Sequence, residues 1–441
     1  MTQVKTYKFK LKPTKKQEET FSRWLGVTRF MYNLCLEYKI IAYRNKELNV
    51  SKNDVQKELK ETKNDFPWMK EVHSQVIQDV TDRLFRSYDN FFKRVKTRAA
   101  KPGFPKFKNK KSWSSFKFKQ GMKLYKNVSK IYLPSIGDVK FIKSQEIIGN
   151  VCTASVRKEH DGWYITITTE NINHKTKEAI NAVIAFDLGL TNLITTSEGE
   201  VIENPKTLKK YEEKIAKLQR NLARKNKGSK NFYKDVLVLQ RLYAKVTRIR
   251  EDFLHKLSTK VINENQVIIC EDLSVSNMIK NHCLAKSISD ASCGKFVSML
   301  EYKSIWAGRM LIKVSPRFTT QDCSTKDCSY RNGELTLADR EWTCPECHTH
   351  HNRDVNAAKN IEERGFEELN AFFIKEKKER EKELKRLEKE NNKNNIKKEQ
   401  EAGYVFSTLG VMVKDTTPAG EPLVTELMQN ISSGLQESYV L

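Results

Sequence analysis

Four cysteines and three carboxylates carry the chemistry this chain could do. Cys323 and Cys328 form one knuckle, and Cys344-Pro-Glu-Cys347 a second about fifteen residues on. Two short turns so spaced can present four thiolates tetrahedrally to one Zn²⁺. Four of the nine cysteines fall in this 25-residue window, a clustering that favours a metal over scattered surface thiols or a disulfide pair. No apolar leader opens the sequence and no stretch resembles a 20-residue apolar span. That points to a reducing, cytoplasmic setting with no membrane partner, where paired knuckles mean metal. Seven residues past the last thiol comes Asp354, in Arg353-Asp354-Val355-Asn356-Ala357-Ala358, so a zinc ribbon would brace the approach to an acid.

Two further acids match it. Asp187 ends the apolar run Ala182-Val-Ile-Ala-Phe, and Gly189 then lets the backbone turn into a short return strand, Leu193 to Thr196. Glu271 ends the run Val267-Ile-Ile-Cys. Strand ends in an α/β sheet are where ligands bind. Each acid alone reads equally well as a strand-end cap. Three brought to one place would repel unless cations shared them, and two Mg²⁺ ions are the usual solution for phosphodiester cleavage. Asp272 is the weaker candidate, because adjacent strand residues face opposite sides.

The elements that must position these residues carry a strongly basic balance, +25 over 441 residues, which calls for a polyanionic partner. Between Lys93 and Gln120 there are eleven Lys or Arg and no acid, interleaved with Phe104, Phe107, Trp113, Phe116 and Phe118. Cations for phosphate beside aromatics for bases suit a nucleic-acid surface, unless the aromatics are core. From Lys206 to Lys256 sixteen basic residues face five acidic ones, on two helices broken at Lys227-Gly228-Ser229. Leu218, Leu222, Leu237 and Leu242 form the apolar stripe of that hairpin.

Phe186-Asp187-Leu-Gly-Leu, Ile269-Cys-Glu271-Asp-Leu-Ser-Val and Arg353-Asp354-Val-Asn-Ala-Ala resemble the three blocks of a RuvC-type (RNase H-like) nuclease. With a ribbon just before the third block, the arrangement resembles the TnpB family, RNA-guided nucleases of insertion sequences. The likeness extends to Arg250-Glu-Asp-Phe-Leu-His-Lys-Leu-Ser, Ser287-Ile-Ser-Asp-Ala-Ser, Leu300-Glu-Tyr-Lys and Gln436 to Leu441, and to Lys5 to Gln17 and Pro102 to Lys108 near the front. It covers roughly residues 1–365. Three positions depart from the family pattern: a C-x4-C first knuckle followed by Ser329, Asn352 in place of an Asp, and Cys293 in place of a Trp. None removes a carboxylate. The resemblance implies a guide RNA, a double-stranded DNA target read beside a short flanking motif, and a helix starting near Val72 that lies against the duplex. Ser74, Gln75 and Gln78 on it suit base edges, while Lys93, Arg94, Lys96, Arg98, Lys106 and Lys108 suit phosphate.

The expected organisation follows. Residues 1–13 and 101–181 form a wedge-type β-barrel, interrupted by a helical recognition domain at 14–100. The RuvC-like α/β nuclease domain occupies 182–316 and 351–366, around a target-nucleic-acid-binding zinc ribbon at 317–350. A Lys/Glu-rich segment and tail, 367–441, complete the chain, with Asn391-Asn392 and Asn394-Asn395 expected to end any helix there. Three other readings compete with cleavage directed by a transposon-end guide: an RNA-guided repressor, a transposition accessory protein, and a compact CRISPR-type effector. Intact Asp187, Glu271 and Asp354 speak against the repressor. A cut-and-paste transposase fits less well, because the third acid follows a ribbon.

Overall fold

The computed structural model describes residues 4–98, 101–170, 178, 180, 182–273, 278, 285–336 and 338–402. The stretch 171–177 and the tail beyond 402, with Gln436 to Leu441, lie outside the described residues. The chain divides into two units, Met1–Asn173 with Val236–Arg241, and His174–Asp235 with Leu242–Leu441.

In the first unit, β1 (Lys5–Lys12) buries Tyr7, Phe9 and Leu11 on alternate positions. Pro13 follows, and Thr14 opens α1 (Lys15–Lys46) with a capping box closed by Gln17. Ser51 and Asp54 do the same for α2 (Lys52–Asp65); a short 3₁₀ turn at Pro67–Glu71 and then α3 (Ser74–Lys96) follow. The remaining strands are β2 (Ser115–Phe118), β3 (Lys123–Tyr125), β4 (Lys130–Leu133), β5 (Gly137–Ile142), β6 (Asn150–Glu159) and β7 (Gly162–Glu170). They form one antiparallel sheet in the order β2-β6-β7-β1-β5-β4-β3. The chain's first strand thus lies in the middle, with Phe9 opposite Ile165 and Leu11 opposite Phe141. Among the described residues no ladder joins β2 to β3.

Helices and sheet share one core in this unit. Phe21 of α1 packs edge-on to Trp163 at 5.0 Å, and Trp24 stands 5.6 Å from Phe116. Segments 14–100 and 101–170 are therefore packed against each other across a common apolar interior.

The second unit is an α/β layer. β8 (Val183–Asp187), β11 (Val267–Glu271) and β12 (Met310–Val314) run parallel, while β9 (Asn192–Thr196) folds back antiparallel beside β8 and β10 (Val201–Glu203) pairs antiparallel with β9. Sheet order is β10-β9-β8-β11-β12. Between β10 and β11 run α4 (Thr207–Ala223) and α5 (Lys230–Glu264), separated at 224–229 as the Gly-Ser break predicts. Between β11 and β12 come α6 (Ala285–Ala291) and α7 (Cys293–Ala307). Strand alternation sorts the sheet's side chains onto two faces. Phe186, Ile268 and Cys270 join the core with Leu254 of α5 and Phe296 and Leu300 of α7. Ala185, Val267, Ile269 and Val314 lie on the other face with Ile361 of α8 (Arg353–Ala402).

One glycine is needed for that second packing. A Cβ on Gly365 would stand 2.3 Å from Cγ2 of Ile269, so only a bare α-carbon lets α8 lie this close to β11. The helix also corrects an expectation. It continues through Asn391-Asn392 and Asn394-Asn395 to Ala402, so the segment carrying Asp354 and the charged stretch are one helix. A Lys/Glu-rich sequence propagates helix well enough that the modest penalty of scattered asparagines does not stop it. No described helix is long and apolar enough to cross a membrane.

Candidate active site and metal-binding ribbon

Strand parity puts the first two carboxylates together. Phe186 pairs with Cys270 across parallel β8 and β11, so Asp187 and Glu271 are the next residues at the two strands' C-terminal ends. They share the face of Ala185 and Ile269, which α8 covers. Asp354 is in the first turn of that helix. Three separate elements thus deliver three acids to one end of one sheet face. Asp272 keeps the ladder going by donating its N–H to Val314 (2.8 Å), and lines a small pocket with Cys293, Glu301 and Lys313.

Asp187 senses the other two acids. The Asp187 carboxyl is pushed up to about 7, first by burial and then by the negative charges of Glu271 and Asp354; the Leu188 N–H and Arg353 act the other way. Burial also raises Glu271, which is only 6 % exposed, against a hydrogen bond from Thr319 and the charge of Arg364. Asp354 faces guanidinium groups of Arg353 (3.5 Å) and Arg340 (3.9 Å). Anionic oxygens at close quarters in a partly desolvated site are costly unless a cation joins them. Hard carboxylate oxygens are the donor set that Mg²⁺ takes.

The ribbon is a different kind of site. The Sγ atoms of Cys323, Cys328, Cys344 and Cys347 all lie within 4.8 Å of one another. Cys323 to Cys347 is 3.6 Å and Cys328 to Cys344 is 3.7 Å. Four sulfurs at the usual Zn–S length sit about 3.8 Å apart at the corners of a tetrahedron, so these residues fit zinc. The C-x4-C knuckle reaches the same geometry as a tighter one would. The second knuckle is framed by the hairpin β13 (Glu341–Thr343) and β14 (His350–Asn352). His351, not singled out from the sequence, puts Nε2 3.1 Å from Cys323 Sγ, with its ring tilted 37° to that of Trp342 at 4.8 Å.

Four other residues escaped the sequence reading because their roles are tertiary. Asn356 donates to the Asp322 carbonyl (2.8 Å) and accepts from Ser324 N (2.9 Å). Asn360 donates to the carbonyls of Thr319 (2.8 Å) and Asp322 (2.7 Å). Arg364 bonds the carbonyl of Arg317 at 2.6 Å and Asp322 Oδ2 at 2.8 Å. Thr319 donates its hydroxyl to Glu271 Oε1 at 2.5 Å. Only the i, i+4 spacing of Asn356, Asn360 and Arg364, which puts them on one helix face, hinted at this.

Two motifs outside the site have structural work. Asp290 accepts from the Leu208 N–H with both oxygens (3.1 and 3.0 Å), capping α4, and Arg250 stands 3.5 Å from it. In the basic hairpin Leu242 is buried, while Leu218, Leu222 and Leu237 are half-buried.

The residues expected to meet nucleic acid all lie in the first unit, where α3 separates them. Ser74, Gln75 and Gln78 occupy its start, and Lys93, Arg94 and Lys96 its end, with Arg98 just beyond. The fifteen residues from Gln78 to Lys93 span about 22 Å of helix. Ser74, Gln78 and all four cations are exposed. Gln75 is engaged, its Oε1 accepting from the N–H of Lys119 (3.1 Å) and Gln120 (2.7 Å). Lys106 is exposed, whereas Lys108 is half-buried, with its backbone held by Asn33. Of the interleaved aromatics, Trp113, Phe116 and Phe118 belong to the core, and Phe104 and Phe107 face solvent.

Comparison with known proteins places the chain. Residues 156–282 match the family model OrfB_IS605, described as "Probable transposase". Residues 294–361 match "Cas12f1-like, TNB domain", and residues 1–47 a "Helix-turn-helix domain", a segment that here is one strand and one long helix. A Streptomyces pristinaespiralis protein named "Putative RNA-guided DNA endonuclease" is 35 % identical over 82 % of this chain and 89 % of its own length. An Escherichia coli K12 protein, "Putative RNA-guided DNA endonuclease InsQ", is 32 % identical over 82 % of this chain and 92 % of its own. The protein in "Cryo-EM structure of the Cas12f1-sgRNA-target DNA complex" matches 82 % of this chain and 98 % of that one at 13 % identity; its TM-score, 0.49, is too low for a functional comparison. With relatives above 30 % identity matched over four-fifths of its length, the chain belongs to the TnpB (OrfB, IS605-type) family.

Proposed function

We propose that this protein is an RNA-guided DNA endonuclease that hydrolyses phosphodiester bonds of a target beside a short flanking motif. The observation that carries the reading is the convergence of Asp187, Glu271 and Asp354 from two strand ends and one helix start onto one sheet face. Relatives named as RNA-guided DNA endonucleases support it. When bound, two Mg²⁺ ions would neutralise charge on the attacking and leaving oxygens. Asp187, Glu271 and Asp354 are the residues that would hold them. The four thiolates would hold one structural Zn²⁺.

In this reading a guide RNA derived from a transposon end supplies sequence specificity by base pairing, and the +25 charge meets both nucleic acids. Ser74 and Gln78, exposed at the start of α3, would read a base edge. Lys93, Arg94, Lys96, Arg98 and Lys106 would hold phosphate, and the ribbon is the target-strand binding module. Residues 1–13 and 101–181 correspond to the wedge, 14–100 to the recognition segment, and 182–316 with 351–366 to the nuclease. The test is to sequence the RNA that copurifies with the expressed protein. A single defined species from the gene's own flank is expected; random host RNA alone would overturn the guide.

A further inference from the structure

Glu271 is held from the ribbon's side. Its carboxylate ends a fully buried strand, and one of its oxygens accepts the Thr319 hydroxyl at 2.5 Å. Thr319 is itself buried, 2 % exposed, so water does not compete for the bond. Its carbonyl accepts from Asn360 of α8, the helix that begins with Asp354. Two hydrogen bonds through one threonine therefore connect the strand end bearing Glu271 to the helix bearing Asp354.

The segment around Thr319 is fastened on every side. Arg364 bonds the carbonyls of Ser315 and Arg317, and Asn360 and Asn356 bond that of Asp322. Ser324, next to the ligand Cys323, donates its N–H to Asn356. Phe318 adopts φ 61°, an uncommon conformation for a bulky side chain, with the Arg331 guanidinium 3.9 Å over its ring. Such backbone strain persists only where the surroundings over-determine it. What is over-determined here is the position of the neighbouring hydroxyl.

We propose that Thr319 is a positioning residue for Glu271, fixing which carboxylate oxygen is left for the catalytic metal and linking that orientation to the anchorage of the ribbon on α8. The proposal rests on the assignment of Glu271 as a metal ligand made above. A ligating carboxylate free to rotate must be ordered at each binding event, and partners that orient metal ligands commonly contribute 10- to 100-fold in affinity or activity.

The experiment compares Thr319→Val, which keeps the shape and removes the donor, with Thr319→Ser, which keeps the donor. Mn²⁺ binding is measured by electron paramagnetic resonance on the purified RNA-bound protein, with Glu271→Gln as reference, zinc content determined in the same samples, and cleavage rate followed against Mg²⁺ concentration. Thr319→Val is expected to weaken Mn²⁺ binding and raise the Mg²⁺ requirement about 10-fold or more, with one zinc per chain and RNA binding retained. Thr319→Ser should restore most of that loss. Wild-type metal binding in Thr319→Val, or a Ser variant as defective as Val, would overturn the proposal. If wild-type protein and Glu271→Gln bind Mn²⁺ equally, the metal-ligand reading of Glu271 fails first, and the proposal with it.

Discussion

The two candidate metal sites of the second unit are built on opposite plans. In the ribbon, four sulfurs from two turns lie at zinc-coordination spacing, with 3.6 and 3.7 Å between pairs. At the sheet end, three carboxylates come from two strands and a helix, and among the described residues they do not close into a comparably tight group. Instead burial and mutual repulsion raise Asp187 to about 7. A closed thiolate set satisfies its metal completely and is structural; an open carboxylate set leaves coordination positions for phosphate and water. In the proposed reading the thiolate site stores folding free energy and the carboxylate site carries the chemistry.

Breaking the open site should have the largest effect on turnover and the least on folding. Asp187→Ala, Glu271→Ala or Asp354→Ala is expected to lower Mg²⁺-dependent DNA cleavage by on the order of 10³-fold or more. Guide RNA binding and zinc content should be unchanged by filter binding and elemental analysis. Full cleavage by any of the three would remove that residue from the site.

Breaking the closed site should couple structure to activity. Zinc on four thiolates supplies on the order of 10 kcal/mol to local folding, and Asn356, Asn360 and Arg364 tie the ribbon approach to α8. Cys344→Ser should therefore lose zinc and cleavage together while far-ultraviolet circular dichroism stays near wild type. A zinc-free wild-type protein with full activity would contradict the contrast drawn here.

A smaller perturbation acts between the two sites. Gly365→Ala drives a Cβ into the β-branched methyl of Ile269, which is fixed close to the strand backbone and cannot swing away. A loss of about 1–3 kcal/mol is expected from overpacking, read as a lower Tm, with cleavage reduced as α8 and Asp354 shift. An unchanged Tm would mean that α8 lies farther from β11 than described.

The smallest and most selective effects belong to α3. Lys93→Ala should weaken binding to all DNA sequences and flatten its salt dependence, whereas Gln78→Ala should change which flanking motif is cleaved in a randomised library. Gln75→Ala should instead lower stability, because two backbone N–H groups lose their acceptor. Identical motif preference in Ser74 and Gln78 variants would move the reading site elsewhere, first to the exposed Phe104, Lys106 and Phe107.

What could be read in the sequence tracks how local its cause is. Apolar runs ending in acid placed Asp187 and Glu271 at strand ends, and Asp272 lines a separate pocket with Cys293 and Lys313. The Gly-Ser break separated α4 from α5 where it was expected. Thr319, Asn360 and His351 could not be found this way, since a hydroxyl at position 319 gains meaning only from a strand end 48 residues earlier. Local signals also misled where context won. The asparagine pairs did not end α8, and Trp113, Phe116 and Phe118 went to the core although their basic neighbours suggested a binding surface.

The central claim is most directly tested by one cleavage assay on matched, RNA-bound samples of wild type and Glu271→Gln. Each is given Mg²⁺ and a DNA duplex complementary to the copurified RNA, preceded by a randomised flank. Cutting is expected by the wild type only, confined to duplexes that share a short flanking motif and abolished when Mg²⁺ is chelated. Equal cutting by both proteins, or none by either on a duplex that both demonstrably bind, would contradict it.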